Sequence, residues 1–271
     1  MLPLLLEPTD YHASGADGND SPILLLDIGK AERFTEEHIP GAILLSPAET
    51  QAGAPVPGLL PSDAELNSLV QKIGLTPEHH VIVYDDEGGG WAGRFIWMLD
   101  EIGHSRYSYL NGGLQAWKQS GYAVEQGMPS VVRPSTMEVK ATGQASITAD
   151  SLHARLGASD LIIWDARSPG EYSGEKVHAM RGGHIPGAVN YEWTRAMDIH
   201  RGLRLKSQEQ LLEELAEAGI NRDGLIVTHC QSHHRSGLTY LIGKLLNFRD
   251  IKAYPGSWGE WGNDPSRPVE Q

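Results

Sequence analysis

The feature that most constrains this chain is that it says nearly the same thing twice. Leu24-Leu25-Leu26-Asp27 is followed by His38-Ile39-Pro40-Gly41-Ala42, and Ile162-Ile163-Trp164-Asp165 by His184-Ile185-Pro186-Gly187-Ala188. Val81-Ile82-Val83-Tyr84 lines up with Leu225-Ile226-Val227-Thr228, and Gly112 and Trp117 with Gly256 and Trp261, all at a constant offset of 144 residues. A repeat of this length means one folding unit used twice. At 271 residues the chain has room for two such units, each able to bury its own core.

Each unit alternates two kinds of segment. The runs 23–26, 81–84, 161–164 and 225–228 are apolar without polar alternation, as in strands covered on both faces. Gln208 to Ala218 predicts a helix that buries Leu211, Leu212 and Leu215 and stops before Gly219. Leu238, Leu241, Ile242, Leu245 and Leu246 repeat at helical spacing and predict a second. Strands alternating with helices imply an α/β fold with mainly parallel sheets flanked by helices. The expected organisation is a first domain over 1–124, a linker over 125–146 with neither period, and a second domain over 147–271.

The chain has one cysteine, Cys230, in the loop Cys230-Gln231-Ser232-His233-His234-Arg235. A lone thiol cannot close an internal disulfide, and the cysteine-poor composition gives no disulfide framework. In an open α/β sheet ligands bind beyond the carboxyl ends of the strands. The run 225–228 ends just before Cys230, and helical spacing resumes near Ser236. A thiol placed there faces unpaired N–H groups of a helix start, which favour its thiolate. Arg235 adds a fixed charge, and His233 and His234 add charge when protonated. A buried, inert cysteine is the alternative, but five polar residues follow this one. His229, Cys230, His233 and His234 are metal-ligand types, yet they crowd into six residues with no second cluster, so no metal is expected. In the first repeat the constant offset puts Asp86 at the cysteine position, which suggests one working and one idle copy. Gly88-Gly89-Gly90 lacks the Gly-Lys-Ser/Thr of a phosphate loop and predicts unusual backbone angles instead.

The formal charge is −13, from 22 basic and 35 acidic residues. That argues against nucleic acid or anionic membranes as partners, and an anionic substrate would need a local positive pocket. Met1 to Asp10 carries no basic segment followed by an apolar one, so the expected location is cytoplasmic, with no membrane span.

Phe34-Thr35-Glu36-Glu37-His38-Ile39-Pro40-Gly41-Ala42 resembles the N-terminal signature of rhodanese domains, and Tyr254-Pro255-Gly256-Ser257-Trp258-Gly259-Glu260-Trp261 resembles their C-terminal one. The chain is similar over nearly its whole length to tandem-domain thiosulfate:cyanide sulfurtransferases, and its loop resembles a bacterial subgroup with Cys-Gln-Thr-His-His-Arg, Ser232 standing for the threonine. The resemblance implies two rhodanese-like domains, a catalytic Cys230 and no cofactor. It also implies a loop of Gln231, Ser232, His233, His234 and Ser236 cradling a persulfide, and Arg235 orienting the donor. Its partners would be a small anionic sulfur donor and a thiophilic acceptor such as cyanide; a protein acceptor is the alternative. Trp193 is read as an entrance wall or a structural tryptophan, and Asp165 and His184 as holding the fold. A rhodanese-fold cysteine phosphatase needs five residues between cysteine and arginine, where this chain has four. The second His-Ile-Pro-Gly-Ala lies 19 residues after its Asp, against 11 in the first copy. The extra residues, around Ser173 to Arg181, fall where the family often has a second substrate-binding arginine, and none matches.

Overall fold

The computed structural model describes residues 2–13, 22–128 and 132–271. They form two compact units, one of 1–50, 61–142 and 197–205, the other of 51–60, 143–196 and 206–271. The continuous domains expected from the repeat are thus interleaved: 51–60 packs with the second unit and 197–205 with the first.

In the first unit the strands are β1 (Leu5–Leu6), β2 (Ile23–Ile28), β3 (Ile43–Leu45), β4 (His80–Tyr84) and β5 (Tyr107–Leu110). They pair in the order β1-β5-β4-β2-β3, every pair parallel. Its helices are α1 (Pro8–Ala13), α2 (Ala31–Glu36), α3 (Asp63–Lys72), α4 (Gly90–Glu101) and α5 (Gly113–Gln119). The apolar runs are central strands: Leu24, Leu25, Leu26, Val81, Ile82 and Val83 are all buried. Full burial of such a side chain stabilises by about 1.5–3 kcal/mol, which explains why no polar alternation is tolerated. Residues 135–142, expected as linker, bond instead to this unit: Ser135 N–H donates to Gln71 O (3.0 Å) and Thr142 N–H to Glu101 O (2.8 Å).

The second unit repeats the plan with α6 (Ala149–Ala154), β6 (Leu161–Asp165), α7 (Pro169–Tyr172), β7 (Ala188–Asn190), then α8 (Gln208–Glu217), β10 (Leu225–His229), α9 (Arg235–Leu245), β11 (Asp250–Ala253) and α10 (Ser257–Trp261). The short hairpin β8 (Met197–Asp198) and β9 (Arg204–Leu205) belongs to the first unit. The second sheet runs β11-β10-β6-β7, again all parallel. On its outer edge Ser146 bridges Ala253 in parallel, so the last linker residues extend the sheet where β1 does so in the first unit. Helix α8 starts and stops as its sequence predicts. Ser207 Oγ accepts from Gln210 N–H (3.2 Å), Gln210 Oε1 accepts from Ser207 N–H (3.3 Å), and Gly219 follows at φ 88°.

The repeated His-Ile-Pro-Gly-Ala motif is a corner of the fold. His38 stacks on Phe34 and His184 on Tyr172, with centroids 3.8 and 3.7 Å apart. Each histidine pairs through its backbone with a distant glutamate, Glu125 or Glu270. The carboxylates of those two glutamates accept from Gly41 and Gly187 N–H.

Candidate active site

Cys230 is the first residue beyond β10, because His229 is the last to pair with β6, opposite Asp165. It is 1% exposed, deeper than the five polar residues after it suggest. Burial alone would raise its thiol pKa. Four influences oppose that: the Arg235 charge, the Ser236 hydroxyl, and the backbone N–H groups of Ser236 and Ser232. The net effect holds the thiol below its ordinary value. The local sequence makes this cradle. The chain leaves β10, crosses a tight loop with His233 at φ 57°, and enters α9 at Arg235. The Ser236 N–H of that first turn and the Ser232 N–H of the loop therefore both face the sulfur. His233 Nδ1 lies 2.8 Å from Ser236 Oγ, which fixes the hydroxyl.

Arg235 is held from outside the loop. Its two terminal nitrogens donate to the two carboxylate oxygens of Glu171, at 2.6 and 2.8 Å. Such a two-pronged pair fixes direction as well as charge. The same carboxylate accepts from Ser168 N–H and Oγ (3.2 and 2.8 Å), so the cap of α7 and the cation of the cysteine loop share one group. Burial would raise Glu171, but Arg235 and Ser168 bring it down to about 2. Sequence reasoning saw no role for Glu171. The Ser-x-x-Glu cap at 168–171 was legible; its partner 64 residues away was not.

The loop rests on α10. Trp258 N–H donates to Cys230 O and Gly259 N–H to Gln231 O, both at 2.9 Å, and Cys230 N–H donates to Ser257 Oγ (3.3 Å). Gly58, from the 51–60 segment, packs so closely that a Cβ there would lie 2.0 Å from Pro255 O and 3.0 Å from Ser232 C. Beneath, Asp165 holds Arg167 (Nη2 to Oδ2 2.6 Å) and lies 3.6 Å from His229 Nε2, while the Arg167 guanidinium sits 4.5 Å over the Trp258 ring. All four are buried, which places Asp165 under the site as support. Gln231 and Ser232 are half-buried at the mouth, and Gln231 Nε2 donates to His178 O (3.1 Å). His234 and Trp193 meet at 5.4 Å between ring centroids, so Trp193 stands beside the loop.

The equivalent position in the first unit is Asp85, not Asp86 as the constant offset implies. Tyr84 pairs opposite Asp27, as His229 does opposite Asp165, so the residue leaving the strand is Asp85. The offset is 145 at this strand and returns to 144 by Gly112 and Trp117, a one-residue slip invisible when only apolar runs are aligned. Asp85 lies in the matching cradle: Oδ1 accepts from Glu87, Gly88 and Gly89 N–H (3.0, 3.0 and 2.8 Å), Oδ2 from Trp91 and Ala92 N–H (3.0 Å each). Burial pushes this carboxyl up against the pull of those donors. The geometry favours the carboxylate, since five donors leave little room for a proton. Gly88 and Gly89, at φ 100° and 98°, make the turn that aims them. Asp86 points elsewhere, 3.4 Å from Arg33 Nε.

A family model described as a rhodanese-like domain matches residues 9–120 and again 148–264. The chain is 52% identical to a thiosulfate sulfurtransferase of Azotobacter vinelandii and 49% identical to one of Pseudomonas aeruginosa, covering 99% of this chain and 97% of each relative. It is 31% identical to the sulfur carrier protein TtuD of Thermus thermophilus, over 92% of this chain and 88% of that one. Among solved structures it is similar in fold to YnjE (TM-score 0.89, 20% identity, 99% of this chain and 68% of that one). It is similar also to the anaerobic ergothioneine biosynthesis enzyme of Chlorobium limicola (TM-score 0.86, 20% identity, 99% and 70%). The chain belongs to the rhodanese family.

Proposed function

We propose that this chain is a thiosulfate sulfurtransferase that carries sulfur on Cys230. The observation that carries the reading is the cradle: one buried thiol, lowered by Arg235 and by donors at the start of α9. The full-length likeness to two thiosulfate sulfurtransferases supports it.

The Cys230 thiolate attacks the outer sulfur of thiosulfate. A new S–S bond forms, the old one breaks, and its electron pair leaves with sulfite. Cys230 is then a persulfide anion, whose terminal sulfur takes over the N–H donors, as an oxyanion hole would serve an oxygen. Cyanide attacks that terminal sulfur, thiocyanate leaves, and the thiolate returns. Arg235 acts on the sulfur through its charge, and Glu171, which takes one N–H from each of its terminal nitrogens, fixes where that charge sits. Gln231, Ser232, His233, His234 and Ser236 shape the cradle, and Ser236 touches the sulfur through its hydroxyl. A compartment that keeps thiols reduced, such as the cytoplasm, suits this chemistry. Among the described residues no helix is long and apolar enough to cross a membrane. A second reading, delivery of the sulfur to a protein acceptor, draws on the likeness to the sulfur carrier protein. Turnover with cyanide, set against transfer from persulfidated protein to thiol-bearing proteins, separates the two.

A further inference from the structure

Thiosulfate is a dianion, and the chain's charge is −13. The guanidinium groups around the loop are each tied to a protein acceptor: Arg235 to Glu171 through one N–H of each terminal nitrogen, and Arg167 to Asp165 and Gly183 O. Arg181 is occupied by main-chain oxygens of Trp261 (2.9 Å), Gly262 (3.4 Å), Asp264 and Arg267 (2.6 Å). A further cation at the mouth would meet the sulfonate end without drawing Arg235 away from Glu171.

The extra residues of the second copy lie at the right place. Arg181, Met180 N–H on Asn263 Oδ1 (2.8 Å), and Trp258 Nε1 on Arg181 O (3.2 Å) pin one end of the segment to the α10 region. Lys176 N–H donates to Gly170 O (2.8 Å), one residue before Glu171, and the Lys176 stem covers Gly170, 3.5 Å from where a Cβ on that glycine would lie. His178 O accepts from Gln231, the neighbour of Cys230. Residues 176–178 therefore run from the α7 turn that holds Arg235 to the cysteine loop, and all three side chains are exposed. Among the described residues the Lys176 ammonium has no acidic partner. A long stem lying along the protein with its charge in water is how lysine presents a cation at a rim.

We propose that the inserted segment is the donor-binding rim of the site and that Lys176 takes the sulfonate end of thiosulfate. This rests on the sulfur-transfer reading above. The rim puts the positive charge at the mouth and leaves Arg235 to the sulfur within.

The test compares the full-length parent with Lys176→Gln, Lys176→Glu and Lys176→Arg at low and high ionic strength. The KM for thiosulfate should rise about three- to tenfold in Lys176→Gln, more in Lys176→Glu, and return toward the parent in Lys176→Arg. The kcat should hold, and the difference should shrink with salt. Alkylation of Cys230 by neutral iodoacetamide should not change, which a merely structural loss would alter. A parent-like KM for Lys176→Gln at low salt overturns the assignment while leaving sulfur transfer intact. Absence of any thiosulfate turnover in the parent removes the reading on which it rests.

Discussion

Arg235 and Glu171 face each other through two hydrogen bonds, 2.6 and 2.8 Å, across 64 residues of chain. The pair turns a flexible cation into a fixed one beside Cys230. If placement matters more than net charge, Glu171→Gln releases Arg235. The kcat/KM for thiosulfate then falls about tenfold, roughly 1.4 kcal/mol, and the pH midpoint of Cys230 alkylation moves up. If charge alone mattered, losing a nearby anion would move that midpoint down.

Arg235→Ala removes the cation and strands a buried carboxylate. Unfolding in urea should show a loss of about 2 kcal/mol, below the full cost of breaking a wholly buried pair because Arg235 is part-exposed. Adding Glu171→Gln should restore part of that stability without restoring activity. A double variant no more stable than Arg235→Ala would count against the pair as the source of the loss.

The pH dependence has a defined sign. Glu171 is lowered in the folded state, from 4.5 to about 2. Its contribution is complete above about pH 4.5 and is lost as pH falls toward 2. Acid unfolding of Glu171→Gln should lack that portion of the slope between those limits. The lowered Cys230 acts in the same direction at higher pH, so alkylation should persist below the ordinary thiol value of 9.0.

Asp85 and Asp86 should differ sharply. Asp85→Ala leaves five inward N–H groups without their acceptor, at a cost of about 3 kcal/mol or more by thermal or urea unfolding. Asp86→Ala, half-exposed and beside Arg33, should cost less than about 1 kcal/mol. Equal losses would undo the register that equates Asp85 with Cys230.

Gly58→Ala puts a methyl against Pro255 O and the Ser232 backbone. The cysteine loop must then shift, and a shift near 1 Å in a positioned nucleophile costs about a hundredfold in rate. The kcat should fall, and the alkylation midpoint should rise, because the Ser232 N–H is one of the donors that lower the Cys230 thiol. Parent-like turnover would show that the loop has room to spare.

Much of this was legible in the chain. The central strands, α8, α9 and the cysteine at a strand tip follow from apolar runs, caps and spacing, which are local signals. The Gly88-Gly89 angles were legible too, since only glycine takes them readily. What was hidden is non-local. Glu171 reads as an ordinary helix cap until Arg235 folds onto it. Gly58 lies in the first half of the sequence yet packs with the second unit. The Asp85 register needed strand pairing, because a one-residue slip leaves apolar runs aligned while moving every polar neighbour. The linker residues bond to α3 through main-chain groups, which composition does not reveal.

The central claim is that Cys230 carries the sulfur, and intact mass after thiosulfate treatment tests it most directly. The parent should gain the mass of one sulfur atom and lose it on adding cyanide, and Cys230→Ala should gain none. A parent that takes up no sulfur, or a Cys230→Ala variant that does, would contradict the account.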